Sequence, residues 1–347
     1  MNKRRIALWF TFLIVLGLGG LLAGICLGSV NIPLIEVASS LFGAGSDNST
    51  HSSIVLEFRL PRTLTAALAG AALAVSGLMM QTVFRNPLAD PFVLGVNSGA
   101  SLGVAIALLV LGPGGIVLAS QTPLSGSLLV VVAATIGAGA SLGLILLLSS
   151  RVDVMSLLIL GLMISYGVSS IVSILIYHSM ADRLQVFFNW SFGSFGAVTL
   201  RQLGLFCLVV LLGLVSSVLL VKRLDAFLLG ERYAKTLGLN VGVSRLAILG
   251  CASLLAGVVT GFCGPIGFIG IAAPHICRYL FRTSEHWILL PGAILMGGLV
   301  GLVADILARA PGLEATLPLN SVTALIGVPV IVAALLKQRN YQRIFGE

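Results

Sequence analysis

Residues 59–103 read RLPRTLTAALAGAALAVSGLMMQTVFRNPLADPFVLGVNSGASLG, and this stretch decides the fold. A charged Arg59-Leu60-Pro61-Arg62 leads into small and aliphatic residues. A polar turn, Arg85-Asn86-Pro87-Leu88-Ala89-Asp90-Pro91, follows, and a second apolar run begins at Phe92. Pro87 and Pro91 fix the backbone and remove two N–H donors, so a helix arriving there must stop. The pattern predicts helix, tight turn, helix in an apolar setting. Gly70, Ala74 and Gly77 on one side, and Gly95, Gly99 and Gly103 on the other, are spaced to let helix backbones approach closely.

The whole chain shares that character. It has 347 residues, 58% hydrophobic and 9% charged, with mean hydropathy +1.10. A soluble domain carries about 25% charged residues, and no single core of this length could hide so much apolar surface. The composition predicts an all-α, polytopic integral membrane protein forming one transmembrane domain over 1–347. Apolar runs near the ~20 residues that cross a bilayer fall at 6–28, 62–84, 92–111, 126–149, 154–176, 201–221, 245–263, 267–281, 287–308 and 320–336. The run at 267–281 is short. The first run follows Lys3-Arg4-Arg5. It is longer than the ~7–15 residues of a signal-peptide core and lacks an A-x-A site. Ile25 spoils a lipoprotein box at Cys26. It is expected to remain as a span with its basic end in the cytoplasm.

Charge tests that topology. Both termini inside places fifteen of the twenty Lys and Arg on the cytoplasmic side and five outside (Arg59, Arg62, Arg183, Arg201 and Arg309). The net charge of +8 is thereby a matter of membrane orientation, and no nucleic-acid face is expected. Residues 29–58 are expected to form an external loop with a short helix after Pro33. Residues 177–200 are expected to hold a half-buried external helix near 187–196. The internal loop 222–245, KRLDAFLLGERYAKTLGLNVGVSR, suggests two short amphipathic helices broken at Gly230 and Gly238.

Few residues could carry chemistry. No glycine precedes a lysine, so a P-loop is absent and any ATP-driven work must come from another chain. G-x-S-x-G occurs at Ser101 and again at Ser141. Two copies of one string favour helix packing over an intramembrane protease, whose histidine would have to be His275. The histidines are scattered, no metal site or cofactor is expected, and the five cysteines read as small buried hydrophobes. Ion-coupled transport, the rival class, usually places ionisable residues deep in the membrane. Asp305 is the clear candidate, and Arg309 at i+4 predicts a local ion pair instead. The loop 222–245 could be an interfacial helix on lipid or a docking knob for a cytosolic partner. Arg59, Arg62 and Arg309 could anchor helix ends or meet an acidic partner from outside.

Several ordered motifs carry a family resemblance: R-L-P-R; G-A-A-L-A-V-S-G-L-M-M-Q; R-N-P-L-A-D-P-F-x-L-G-V-x-S-G-A; Trp190-Ser191-Phe192-Gly193-Ser194; Gly230-Glu231-x-x-Ala234-x-x-Leu237-Gly238; GPIGFIGIAAPHICRYL at 264–280; and Ala304-Asp305-x-x-Ala308-Arg309. Together they resemble the FecCD/BtuC family of ABC-importer permeases. The resemblance implies a BtuC-like type II importer subunit with about ten transmembrane helices in the bacterial cytoplasmic membrane. It implies a second permease copy or paralogue, two cytosolic ABC ATPase subunits, and a periplasmic or lipid-anchored substrate-binding protein. A ferric siderophore or haem is the first substrate it suggests, with cobalamin the alternative. It assigns ATPase coupling to Leu228, Leu229, Gly230, Glu231, Ala234, Leu237 and Gly238. It assigns binding-protein docking to Arg59, Arg62 and Arg309, and a cytoplasmic gate on the fifth span to Val154, Met155 and Ser156. The last outer loop departs from the family: Glu314 is displaced, and Asn320 stands where the family has glycine.

Overall fold

The structure, a computed structural model, describes residues 3–28, 30, 32–42, 49–111, 126–149, 152–309 and 316–345. Glu314 lies outside them. The described residues form helices and their connections. In chain order these are α1 (Lys3–Cys26), α2 (Leu34–Phe42), α3 (Ser49–Ser53), α4 (Leu60–Val83), α5 (Val96–Ala105), α6 (Gly126–Ser149), α7 (Val154–Tyr177), α8 (Ala181–Ser191), α9 (Leu200–Leu219), α10 (Val221–Leu228), α11 (Glu231–Thr236), α12 (Val241–Cys263), α13 (Ile269–Phe281), α14 (His286–Arg309) and α15 (Leu319–Phe345). Each predicted span has its helix. Seven are long and apolar enough to cross a bilayer by themselves, and shorter apolar helices lie at Val96–Val110 and Leu319–Ala333.

α4 is the hub. Its most apolar window is 83% buried, and its small residues explain why. A Cβ on Gly70 would come 2.1 Å from the Gly297 carbonyl oxygen of α14, and one on Gly77 would come 1.8 Å from that of Gly270 in α13. Lipid tails are as apolar as leucine, so helices in a membrane associate through such close packing. α5 and α6 meet the same way: a Cβ on Gly103 would lie 2.0 Å from the Ala133 oxygen.

Gly95 does something else. It has φ +76 and joins a 3-10 turn, Pro91–Leu94, to α5. The second helix therefore starts at Val96 and not at Phe92. The turn before it is closed by side chains, with Asn86 Oδ1 accepting from Leu88 N at 2.9 Å and Asp90 Oδ1 from Phe92 N at 3.0 Å. The loop expected over 29–58 contains the predicted helix after Pro33, but its last part is helical. α3 runs through a π turn, Ile54–Arg59, straight into α4. Pro61 lacks an N–H, and the widened turn just before it absorbs that loss.

α13 is short because the chain reaches it through the non-helical segment 264–268, with Gly264 at φ +76 and Phe268 at φ +69. Backbone polar groups at membrane depth need partners from the protein. Gly267 N donates to Asn320 Oδ1 at 3.0 Å, and Asn320 N donates to the Phe192 oxygen at 3.1 Å. Asn320 thus knots three segments together, a task the glycine of the family pattern could not do with a side chain. Inside α13, Pro274 removes the N–H that would meet the Gly270 carbonyl, and Gln81 Nε2 donates to that oxygen at 3.2 Å.

Candidate functional site

Three regions hold the residues singled out from the sequence: the end of the bundle near Arg62, the opposite end near Gly230, and the face of α7 between them.

At the first end, Arg59 is buried, and its guanidinium donates to the carbonyls of Ile25, Cys26 and Val30 around the C-terminus of α1. Arg309 Nη1 reaches the Gly24 and Leu27 carbonyls of the same terminus, at 2.6 and 3.0 Å. Four orphan carbonyls end every helix, and cations there also complement its dipole. Arg62 Nε donates to Asp305 Oδ1 at 2.7 Å, and Arg309 Nη2 donates to Asp305 Oδ2. The predicted i,i+4 pair is therefore present, with Arg62 as a third member. Two guanidiniums share one carboxylate, Arg59 beside them is bonded to carbonyls alone, and Arg309 Nε is buried without an acceptor among the described residues. Beside Arg62 lies a cleft of about 380 Å³ bordered by Asn189, Phe192, Ser194, Leu317 and Pro318.

At the opposite end, 221–240 folds as the two predicted short helices. Gly230 at φ +99 and Gly238 at φ +80 make the breaks, a backbone that side chains rarely adopt. This knuckle has two faces. Ala234 and Gly230 are buried and Leu228 is half-buried, while Leu229, Tyr233 and Leu237 are exposed, as are Arg232 and Lys235. Tyr233 was not singled out from the sequence. Helical spacing does not find it, because Gly230 breaks the helix between Leu229 and Tyr233.

Glu231 turns inward. Its Oε1 accepts from Arg245 Nη2 and Nε at 2.5 and 3.1 Å. Arg245 Nη1 also donates to the carbonyls of Ser149, the last residue of α6, and Val152, at 2.7 and 3.2 Å. Sequence reading counted Arg245 only as one more cytoplasmic cation. Asp153 Oδ2 then caps α7, accepting from Met155 N at 3.1 Å and Ser156 N at 3.3 Å. The Ser156 hydroxyl, and after it the backbone amides, hold the Asp153 carboxyl below its ordinary range. α7 begins at Val154, and the side chains of Met155 and Ser156 are exposed. A cleft of about 330 Å³ lies between these elements, lined by Arg85, Asn86, Asp153, Met155 and Glu231.

α7 itself is bare, with 11% of its apolar window buried. Its exposed face carries Tyr166, Ser169, Ser170, Ser173 and Tyr177 as well as aliphatic residues. Ser170 and Ser173 donate to the carbonyls of Tyr166 and Ser169, both at 2.9 Å, so their hydroxyls are satisfied within the helix.

The other candidates resolve into structure. His275 bonds the Ile271 carbonyl at 2.9 Å, and Ser141 sits in the α5–α6 crossing beside Gly99, so no serine–histidine pair forms there. Among the described residues no cluster of His, Cys, Asp and Glu could hold a metal, and all five cysteines are free.

Comparison with known proteins places this architecture. The sequence profile of the FecCD transport family matches residues 13–337. The hemin transport system permease protein HmuU of Yersinia pestis is 36% identical over 321 residues, 92% of this chain and 94% of its own length. The vitamin B12 import system permease protein BtuC of Shigella boydii is 36% identical over 347 residues, covering 97% and 98%. One chain of a solved transporter, assigned to the metal-chelate ABC type and inward-facing, superposes with TM-score 0.81 at 28% identity, covering 94% of this chain and 98% of that one. Such permeases are not enzymes; they work in a complex with permease partners, and the ATPase activity lies in separate subunits. The chain is an ABC-importer permease and belongs to the FecCD transport family.

Proposed function

We propose that this permease moves an iron chelate, a ferric siderophore or haem, across the cytoplasmic membrane along a path between α7 and the α7 of a second permease. The exposed, hydroxyl-bearing face of α7 carries this reading. Polar residues within spans face a bundle interior or a water-filled cavity, not lipid. The two serine hydroxyls bonded to their own helix offer little for a passing solute to bind, which suits a large rigid cargo that must not stick.

ATP closes the cytosolic ATPase pair, and that pair meets the exposed Leu229, Tyr233 and Leu237 with the cations Arg232 and Lys235. These residues offer apolar area with a charged rim, the usual anatomy of a specific interface. A substrate-binding protein docks at the opposite end, where Arg62 and Arg309 share the single carboxylate of Asp305 and Arg59 lies beside them. Both termini lie in the cytoplasm, since the knuckle and the basic loops share that side. The likeness to vitamin B12 permeases over 97% of the chain supports cobalamin as the second reading. The test is uptake into proteoliposomes containing the permease, its ATPase and its binding protein, with radiolabelled hemin, a ferric siderophore and cyanocobalamin as separate probes. ATP-dependent accumulation of an iron chelate is expected. Accumulation of cyanocobalamin alone overturns the substrate, and accumulation driven by a cation gradient without ATPase overturns the reading itself.

A further inference from the structure

We propose that Arg245 is a positioning residue that carries movement of the knuckle into the start of α7; this rests on the permease reading above. Four features of the structure converge on it. First, α10 is fixed to the hub. Leu224 and Phe227 are buried, and Asp225 Oδ1 accepts from both His286 Nδ1 at 2.7 Å and His286 N at 3.0 Å. The same imidazole meets Thr82 Oγ1 of α4 through Nε2 at 2.8 Å. α10, α14 and α4 therefore move as one body.

Second, α11 is joined to that body through Gly230 at φ +99 and leaves it through Gly238 at φ +80. Two such glycines let a short helix rotate without straining its neighbours. Third, the charged tie holding α11 is Glu231 to Arg245, and Arg245 is itself 8% exposed. Fourth, the same guanidinium grips the Ser149 and Val152 carbonyls, one residue before the Asp153 cap of α7. A planar fork with five donors can hold a carboxylate and two carbonyls together, and a lysine cannot. A displacement of α11 is thus passed to Ser149 and Val152 and on to Met155, while α10 stays behind as the fulcrum.

A purely structural role, capping α6, would need only the carbonyl contacts. Glu231→Gln separates the two, because it keeps Arg245 and its carbonyl bonds but removes the charge that couples them to α11. The experiment uses the full permease–ATPase complex in nanodiscs, with Met155→Cys in a Cys26→Ser/Cys207→Ser background. The remaining three cysteines are buried. A charged maleimide reports the reactivity of position 155 with and without Mg-ATP and vanadate. The parent is expected to change its labelling rate about tenfold between the two states. Glu231→Gln and Arg245→Lys are expected to assemble with the ATPase and hydrolyse ATP while that change shrinks to within about twofold. A full nucleotide response in Glu231→Gln overturns the relay and leaves the permease reading standing. Loss of ATPase association in Glu231→Gln also overturns it, since the residue would then belong to docking. A parent that does not respond to nucleotide overturns the gate reading and the relay with it.

Discussion

Both ends of the bundle use arginine to hold the C-terminus of a helix, yet they differ in charge balance. At one end Arg59 and Arg309 grip α1, and Arg309 shares a single carboxylate, Asp305, with Arg62. At the other, Arg245 grips α6 and is matched by Glu231. The unbalanced end keeps a surplus of positive charge locked into packed helices. The balanced end sits between two left-handed glycines, where the tie can move. Excess charge suits attraction of an acidic surface, and a neutral pair on a hinge suits transmission of force.

The hardest way to break this contrast is Asp305→Asn. It leaves the Arg62 and Arg309 guanidiniums without their shared counter-ion, and removing one member of a buried pair costs about 3–5 kcal/mol. Thermal unfolding of the purified complex should register that loss. A cost under about 1 kcal/mol, the range of exposed pairs, would show the cluster to be solvated.

Asp90 sharpens the contrast, because it is a buried carboxylate at the knuckle end with no ion-pair partner among the described residues. Burial pushes its carboxyl up to about 6, opposed only by the hydrogen bond from Phe92 N. A folded-state pKa raised above the unfolded one gives stability that is full below the unfolded value and is lost as pH rises through about 6. The span of that loss is up to about 3 kcal/mol at 1.36 kcal/mol per unit. The complex should melt at higher temperature at pH 5 than at pH 8, and Asp90→Asn should flatten the difference. An unchanged slope in the variant would assign the pH dependence to another group.

Arg62→Gln tests the surplus charge more gently. Association with the binding protein should slow about tenfold at low salt, with the gap closing at high salt, because rim charges act on the on-rate and are screened. A loss insensitive to salt would mean that Arg62 acts by shape and not by charge. The backbone is tested by Gly230→Ala. The alanine must adopt φ +99 and ψ 154, a region essentially confined to glycine, and its Cβ would lie 3.3 Å from Arg85 Nη1. Strain of this kind costs about 1–3 kcal/mol. Gly250→Ala, in a helix and with nothing within 4 Å, should gain up to about 1 kcal/mol. Equal effects at the two positions would argue that Gly230 is not held in its left-handed form.

Much of this was legible in the chain. Periodic apolar runs, prolines and glycines are local signals, so the spans, the turn at 85–91 and the two knuckle helices follow from them. Small-residue spacing foretold the α4 crossings at Gly70 and Gly77, because close backbone approach demands a missing side chain. The same spacing left half of Gly95 unread: a Cβ there would come 2.8 Å from Ser141 Oγ, and its φ of +76, which spacing does not reveal, also requires glycine. The outer loop was expected to run to 58, because the π turn over Ile54–Arg59 has no sequence signature.

The sequence by itself therefore determined a polytopic helical membrane protein, from composition and neighbouring residues, and its permease family, from ordered motifs. Only the tertiary structure decided which charges meet. Asp305 joins Arg62 across 243 positions of chain, and Arg245 reaches the Ser149 carbonyl across 96. A pairing between helices depends on which faces the packing brings together, and a backbone carbonyl as acceptor leaves no trace in the amino-acid code.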